Sequence, residues 1–139
     1  MGPETPLYHF GPTAQILLLG ALITAAPLLW VLRRVQGRGP AALLQRLTWV
    51  TLFLTFDLVL FGAYTRLSDS GLGCPDWPGC YGQATPIGAS AQIQAAQDLM
   101  PTGPVTHGKA WVEMLHRYLA TGVGGLILVL CAGAWWLRL

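Results

Sequence analysis

Charged residues are scarce in this sequence. They make up 10% of its 139 residues, against about 25% in a typical soluble domain. So few charges cannot cover a water-facing surface, which argues against a soluble globular protein. The net charge of +2 also excludes the strongly basic surface of a nucleic-acid-binding protein, so we expect no nucleic-acid partner.

The sequence instead contains long runs of apolar residues. Three of them, at about residues 14–32, 47–64 and 112–137, approach or exceed the length of about 20 residues that a helix needs to cross a bilayer. They predict an all-α integral membrane protein with three transmembrane helices, surrounded by bilayer lipids. The first run lacks the features of a signal peptide, because residues 1–12 contain no Lys or Arg to form a basic n-region.

The basic residues predict the orientation, since Lys and Arg collect in cytoplasmic loops. The connection between the first two runs has four arginines and no acid, whereas residues 67–110 hold three acids and only Lys109 as a basic residue. Arg138 follows the third run. The arginines are Arg33, Arg34, Arg38 and Arg46, and the acids are Asp69, Asp76 and Asp98. This pattern predicts a multi-pass protein of the bacterial inner membrane, with the N-terminus outside and the C-terminus inside.

The predicted spans and loops divide the chain into two segments. We expect an N-terminal anchor helix and basic cytoplasmic loop at 1–46, and a second segment at 47–139 made of a helix (47–66), a long outer loop (67–110) and a helix (111–137). Apolar residues at helical spacing predict a short surface helix at 89–100. Loops longer than about 15 residues are usually functional or disordered, and Trp77, Tyr81 and two cysteines argue against disorder.

The two cysteines of the outer loop are Cys74 and Cys80. The outer side of a bacterial membrane is oxidising, and a disulfide closing so short a loop is sterically feasible. A zinc site is the alternative, but zinc needs four ligands and no His pair is nearby. A short loop gains little from chain entropy, so a structural staple and a redox-active pair both stay open. Cys131, in the third run, is interpreted as a small apolar filler.

Three ionisable residues stand at the start of the third helix: Glu113, His116 and Arg117. Ionisable residues at membrane depth mark function by default. Glu113 and Arg117 are one turn apart and can pair, and the face that carries Glu113 and His116 continues through small residues to Cys131. Two interpretations stay open. Either these residues lie in the headgroup zone above helix-packing glycines, or His116 is a heme ligand above a groove.

Other polar residues carry weaker signals. Asp57 lies in the middle of the second run, and we expect an interhelical polar contact there, with a proton path as the alternative. His107 precedes the third helix and is expected to be solvated. His9, in the N-terminal tail, is expected to have no role.

Two motifs in this sequence resemble one known family. The segment GAYTRLSDSGLGCPDWPGCYG at 62–82 closely resembles the first outer loop of the heme A synthase family. The segment EMLHR at 113–117 resembles the start of the following helix in that family. The pair, in this order and at this distance, is highly specific. The resemblance covers about residues 47–137 and leaves out the first helix.

The resemblance implies a heme enzyme. Members of the family are oxidoreductases built from two similar four-helix halves, and they oxidise the C8 methyl of heme O to the formyl group of heme A for the terminal oxidase. His116 would be an axial ligand of heme iron in the N-terminal half, and Glu113 its catalytically important neighbour. Cys74 and Cys80 would be the disulfide pair of the loop.

Charge and position add two candidates, and the resemblance implies that parts of the family's architecture are missing from this chain. Arg66 and Arg117 are plausible partners of heme propionates. The partner His and the half expected to bind heme b would lie beyond Leu139. We therefore expect an N-terminal portion that is completed by the missing helices of the same bundle or by a second chain. Heme O synthase and oxidase assembly factors are further expected partners.

Two other functions compete with this interpretation. The chain could be a non-catalytic membrane assembly subunit that uses the loop to bind a partner. It could also be a membrane thiol–disulfide protein, but that needs an accessible thiol of low pKa. The acid Asp76 beside Cys74 works against such a thiol, so this function ranks lowest.

Overall fold

A computed structural model describes residues 10–137, and within them the chain forms four α-helices and no β-strand. The helices are α1 (Phe10–Arg34), α2 (Pro40–Leu67), α3 (Ser90–Leu99) and α4 (His107–Leu137). Three of them, α1, α2 and α4, are long and apolar enough to cross a membrane. The predicted all-α integral membrane protein with three spans is confirmed. His9 and Arg138 lie outside the described residues.

All three long helices begin before the predicted apolar runs, and the local reason is visible for α2 and α4. α2 begins at Pro40 rather than at residue 47, because proline is well suited to the first turn of a helix. α4 begins at His107 rather than at residue 111. There, Thr106 Oγ1 accepts a hydrogen bond from Lys109 N–H at 3.3 Å, which caps the helix. The apolar runs identified the middle of each helix but not its polar end.

α1 and α4 lie side by side and run in the same direction, with small residues at their contact. Gly20 lies against Thr121, and Gly125 lies against Thr24. The hydroxyl of Thr24 is within hydrogen-bonding distance of two carbonyl oxygens, that of Gly20 at 2.8 Å and that of Gly122, across the interface, at 3.0 Å. Small residues let two membrane helices approach closely enough for such a bond.

α2 packs on another side of α4 and runs in the opposite direction. At the end that carries residues 68–106, called here the loop end, Gly62 lies against the ring of His116. At the other end, called here the turn end, Leu44 lies against Gly133. Asp57, between them, is exposed. It makes no side-chain hydrogen bond within residues 10–137, so the expected interhelical contact is not made in this part of the chain.

The connection at residues 68–106 folds over the loop end of the bundle. α3 lies within it, and its Ile93 is fully buried, which agrees with the short helix predicted at 89–100. Ile93 shares a core with Cys74 and Cys80 and with Ala110 and Met114 from the start of α4. This connection is therefore a packed cap on α4.

Two adjacent glycines of α4 provide a matched test of the contact with α1. A Cβ at Gly125 would lie 2.2 Å from Thr24 Oγ1, whereas a Cβ at Gly124 would meet nothing within 4 Å. We expect Gly125→Ala to lower the free energy of unfolding by about 1–3 kcal/mol through overpacking. Gly124→Ala should leave it unchanged or raise it. Thermal unfolding in one detergent compares the two variants, and equal effects would contradict this packing.

Candidate heme site

The disulfide loop, residues 74–83, is a compact turn. It contains the predicted disulfide between Cys74 and Cys80, with 4.9 Å between the Cα atoms, so neither sulfur is available as a zinc ligand. Both cysteines are buried. The carboxylate of Asp76 accepts hydrogen bonds from the N–H groups of Tyr81 and Gly82, at 2.5 and 2.7 Å. These bonds stabilise the turn where both residues have a positive φ.

Glu113 joins this loop to α4. Its side chain is buried, and Oε2 accepts a hydrogen bond from Cys74 N–H at 2.8 Å. Oε1 pairs with Arg117, one turn further along α4, as the spacing predicted. A buried carboxylate needs such partners, because an unpaired charge away from water is costly. The loop and the helix thus fix Glu113 together.

The guanidinium of Arg117 binds the backbone of the loop. Its Nη1 faces the carbonyl oxygens of Asp76, Pro78 and Gly79, at 2.9, 3.3 and 2.6 Å, while Nη2 pairs with Glu113. Helical spacing shows only partners on the same helix, so it gave no signal for the loop contacts. The role of Arg117 as a propionate partner stays a prediction, since its donors here serve the loop.

His116 has no hydrogen-bonding partner among residues 10–137. Its ring is half-buried, and the ring of Phe61 lies 6.0 Å away between centroids. A Cβ at Gly62 would lie 2.9 Å from His116 Nε2, so glycine at this position lets the imidazole nitrogen approach the backbone of α2. A neutral imidazole with an unused nitrogen, carried on a rigid helix, can act as a metal ligand.

A cavity of about 440 Å³ lies beside His116, bounded by α1, α4 and the disulfide loop. The side chains that α4 and the loop contribute are His116, Arg117, Ala120, Thr121, Trp77 and Pro78. A wider groove of about 720 Å³ shares Leu17 with this cavity and is lined further along α4 by Gly124 and Ile127. Cofactor sites commonly measure about 300–1,000 Å³. An open groove therefore lies beside His116, whereas Glu113 lines neither cavity.

Three other residues of interest lie outside the cavity beside His116. Arg66 is exposed in the last turn of α2, one turn from Gly62 on the same face, and its side chain forms no ion pair within residues 10–137. The ring of His107 lies 3.1 Å from Gln94 Oε1 of α3, so it is bound to the cap rather than simply solvated. Cys131 is exposed on α4. Within the described residues it is not an apolar filler of the core, contrary to the prediction.

Comparison with known proteins identifies the family. The model of the COX15-CtaA family, described as cytochrome oxidase assembly protein, matches residues 45–139. The chain belongs to this family. Both motifs, at 62–82 and 113–117, lie inside the matched region, which confirms the resemblance seen in the sequence. The first helix, α1, lies outside the region that the COX15-CtaA model matches.

Individual relatives in this family are named heme A synthase. That of Shewanella oneidensis is 51% identical over 90 residues, which are 63% of this chain and 27% of the relative. A Rhizobium etli protein is 35% identical over 102 residues, 66% of this chain and 28% of the relative. The chain thus covers less than a third of the length of these relatives. No solved structure matches it.

The contacts of Arg117 predict that it holds the disulfide loop on α4. Arg117→Gln removes the partner of the buried Glu113 carboxylate, and breaking such a pair costs about 3–5 kcal/mol. We therefore expect faster hydrogen exchange at the backbone amides of residues 74–83, measured by mass spectrometry. Lys109→Gln is the control, because its partner Asp69 is 86% exposed and exposed pairs contribute at most about 1 kcal/mol. Unchanged exchange in Arg117→Gln would contradict the anchoring.

Proposed function

We propose that this chain is the N-terminal portion of a heme A synthase, an oxidoreductase that converts the C8 methyl of heme O to the formyl group of heme A. The observation that carries the proposal is His116, whose unbonded imidazole borders a cofactor-sized cavity. This residue lies in the second of the two family motifs. The relatives named heme A synthase support the reaction.

The residues around His116 fit a heme. Within residues 10–137, no three His, Cys, Asp or Glu side chains are grouped so as to hold a metal ion. A single imidazole suits a metal that brings its other ligands, as heme iron does. Within residues 10–137 no hydrogen bond occupies His116 Nε2, and Arg66, on the face of α2 that carries Gly62, offers a positive charge to a propionate. The opposing axial His would come from a further helix or a second chain, and heme b from the other half.

Glu113 would act beside the bound substrate. Heme supplies the oxidative chemistry when bound, while the protein orients it. The carboxylate of Glu113, on the same side of α4 as His116, would stabilise positive charge that develops at the methyl carbon. Its bonds to Cys74 N–H and Arg117 hold it in one position. Trp77 and Pro78 line the loop side of the cavity and would limit the access of water there.

The charge distribution supports a location in the bacterial inner membrane with the disulfide loop outside. A disulfide persists in an oxidising compartment, and arginines concentrate at the turn end, as expected for a cytoplasmic side. This orientation brings the cavity beside His116 close to the outer surface. Heme O synthase, as the source of the substrate, and oxidase assembly factors are the proposed partners.

A non-catalytic assembly subunit is the second candidate function. It is favoured by one observation, the 80% exposure of Trp77 at the tip of the disulfide loop, because an exposed aromatic side chain suits a partner contact. Thiol–disulfide exchange has less support, since Cys74 and Cys80 are buried and an attacking thiolate must reach a sulfur. An assay for the conversion of heme O to heme A distinguishes the two main candidates, because only a heme A synthase would catalyse it.

Substitution of His116 tests the ligand assignment. In the longest form of the protein that its gene encodes, we expect His116→Ala to weaken heme binding at this site by more than about tenfold, because it removes an iron ligand. Gly62→Val should have the same effect by displacing the imidazole, because its Cβ would lie 2.9 Å from Nε2. The control is His107→Ala, whose ring binds Gln94 instead. Heme absorbance measures all three, and unchanged binding in His116→Ala would overturn the assignment.

Glu113→Gln separates a catalytic role from a structural one. The amide oxygen of Gln can still accept the Cys74 N–H, but the negative charge is lost. We expect heme A formation by the full-length protein to fall by about 100-fold, as when a group that stabilises transition-state charge is removed. Hydrogen exchange in the disulfide loop should increase less than in Arg117→Gln. Normal heme A formation in Glu113→Gln would contradict the catalytic role. So would a loss of heme A formation that is accompanied by as much hydrogen exchange in the disulfide loop as in Arg117→Gln.

A further inference from the structure

The turn end of the bundle carries a second cavity, of about 410 Å³, between α1 and α2. Three arginines and two tryptophans line it, Arg34, Arg38, Arg46, Trp30 and Trp49. Val31, Val35 and Val50 also line it. The cavity is remote from His116 and lies partly on α1, outside the region that the family model matches.

The positive charge of this cavity has no counter-charge in the chain nearby. The sequence has no Asp or Glu from residue 5 to residue 56 and none after Glu113. The nearest acid on α2 is Asp57, about 16 Å along the helix from Arg46. Arg34 lies 5.8 Å from the centre of the Trp30 ring, a cation–π distance. None of the three arginines forms an ion pair within residues 10–137, so the cavity attracts an anion from outside.

The aromatic residues indicate the depth of the cavity in the membrane. Trp30 and Trp49 are 55% and 65% exposed, and Trp135 and Trp136, at the same end of the bundle, are each 87% exposed. Tryptophan concentrates at the boundary between acyl chains and water, at the level of the lipid headgroups. A cavity at this level meets phosphate groups on one side and acyl chains on the other.

We propose that the cavity binds an anionic phospholipid, with the phosphate between the arginines and the acyl chains along α1 and α2. Guanidinium groups suit phosphate because their planar donors match its oxygens. Basic pockets between membrane helices on the cytoplasmic side are known to take lipid headgroups of this charge. The exposed rings of Trp30 and Trp49 favour a lipid over a free phosphate ion, which would leave that apolar surface uncovered.

A comparison of Arg33 with Arg34 can distinguish a specific lipid-binding site from nonspecific attraction by positive charge. Both lie in the last turn of α1, where any cation interacts favourably with the helix dipole and helps to orient the protein. Only Arg34 lines the cavity. Arg33→Gln therefore removes the same charge from the same turn without removing a cavity residue, which makes it the matched control for Arg34→Gln.

The test counts lipids that stay bound to the full chain. The protein is purified in a non-ionic detergent, titrated with phosphatidylglycerol or phosphatidylcholine, and examined by native mass spectrometry, with inorganic phosphate as a competitor. We expect one tightly held phosphatidylglycerol. Arg34→Gln and Arg46→Gln should each weaken its binding by about fivefold, and Arg33→Gln by less than about twofold. Circular dichroism of each variant checks that the helices are retained.

Three results would overturn the proposal. Equal losses in Arg33→Gln and Arg34→Gln would mean that diffuse positive charge, not a site, holds the lipid. Equal binding of phosphatidylcholine, whose phosphate is accompanied by a choline cation, would mean that the net negative charge of the headgroup is not recognised. Complete displacement of phosphatidylglycerol by inorganic phosphate would identify a free anion as the ligand.

Discussion

The Glu113 carboxylate accepts the Cys74 N–H with one oxygen and pairs with Arg117 through the other. Because Arg117 also binds carbonyl oxygens of the disulfide loop, these two residues join the loop to α4. The cavity beside His116 depends on this connection, since Trp77 and Pro78 form its loop side. A change that broke the pair would open the cavity to water without touching the imidazole.

α4 uses its faces for different purposes. Gly122 and Gly125 allow α1 to approach, whereas Gly124 lies beside the open groove. Glycine thus allows close packing at two positions and leaves open space at a third. The direction in which each position faces around the helix axis determines its role. The proposed heme site uses the open face at the loop end, and the proposed lipid site lies between α1 and α2 at the turn end. The two proposals therefore rest on separate surfaces of one bundle.

The sequence predicted those features that depend on local pattern. Apolar runs gave the three spans, and the spacing of Glu113 and Arg117 on one helix gave their ion pair. It could not predict the bonds from Arg117 to the loop carbonyls or the position of Gly62 beside His116, because these residues meet only when distant segments pack together. It also missed the start of α4, which a hydrogen bond to Thr106 determines and hydropathy does not. Asp57 was expected to contact a neighbouring helix, but its side of α2 is exposed in the described part of the chain.

The most direct test of the account is a structure of the full-length protein loaded with heme, determined by cryo-electron microscopy in a lipid nanodisc. The account predicts heme iron bonded to the imidazole of His116, a propionate near Arg66, and the disulfide loop held over the cavity by Glu113 and Arg117. Iron bound to other residues in this half of the protein, with His116 uncoordinated, would contradict it.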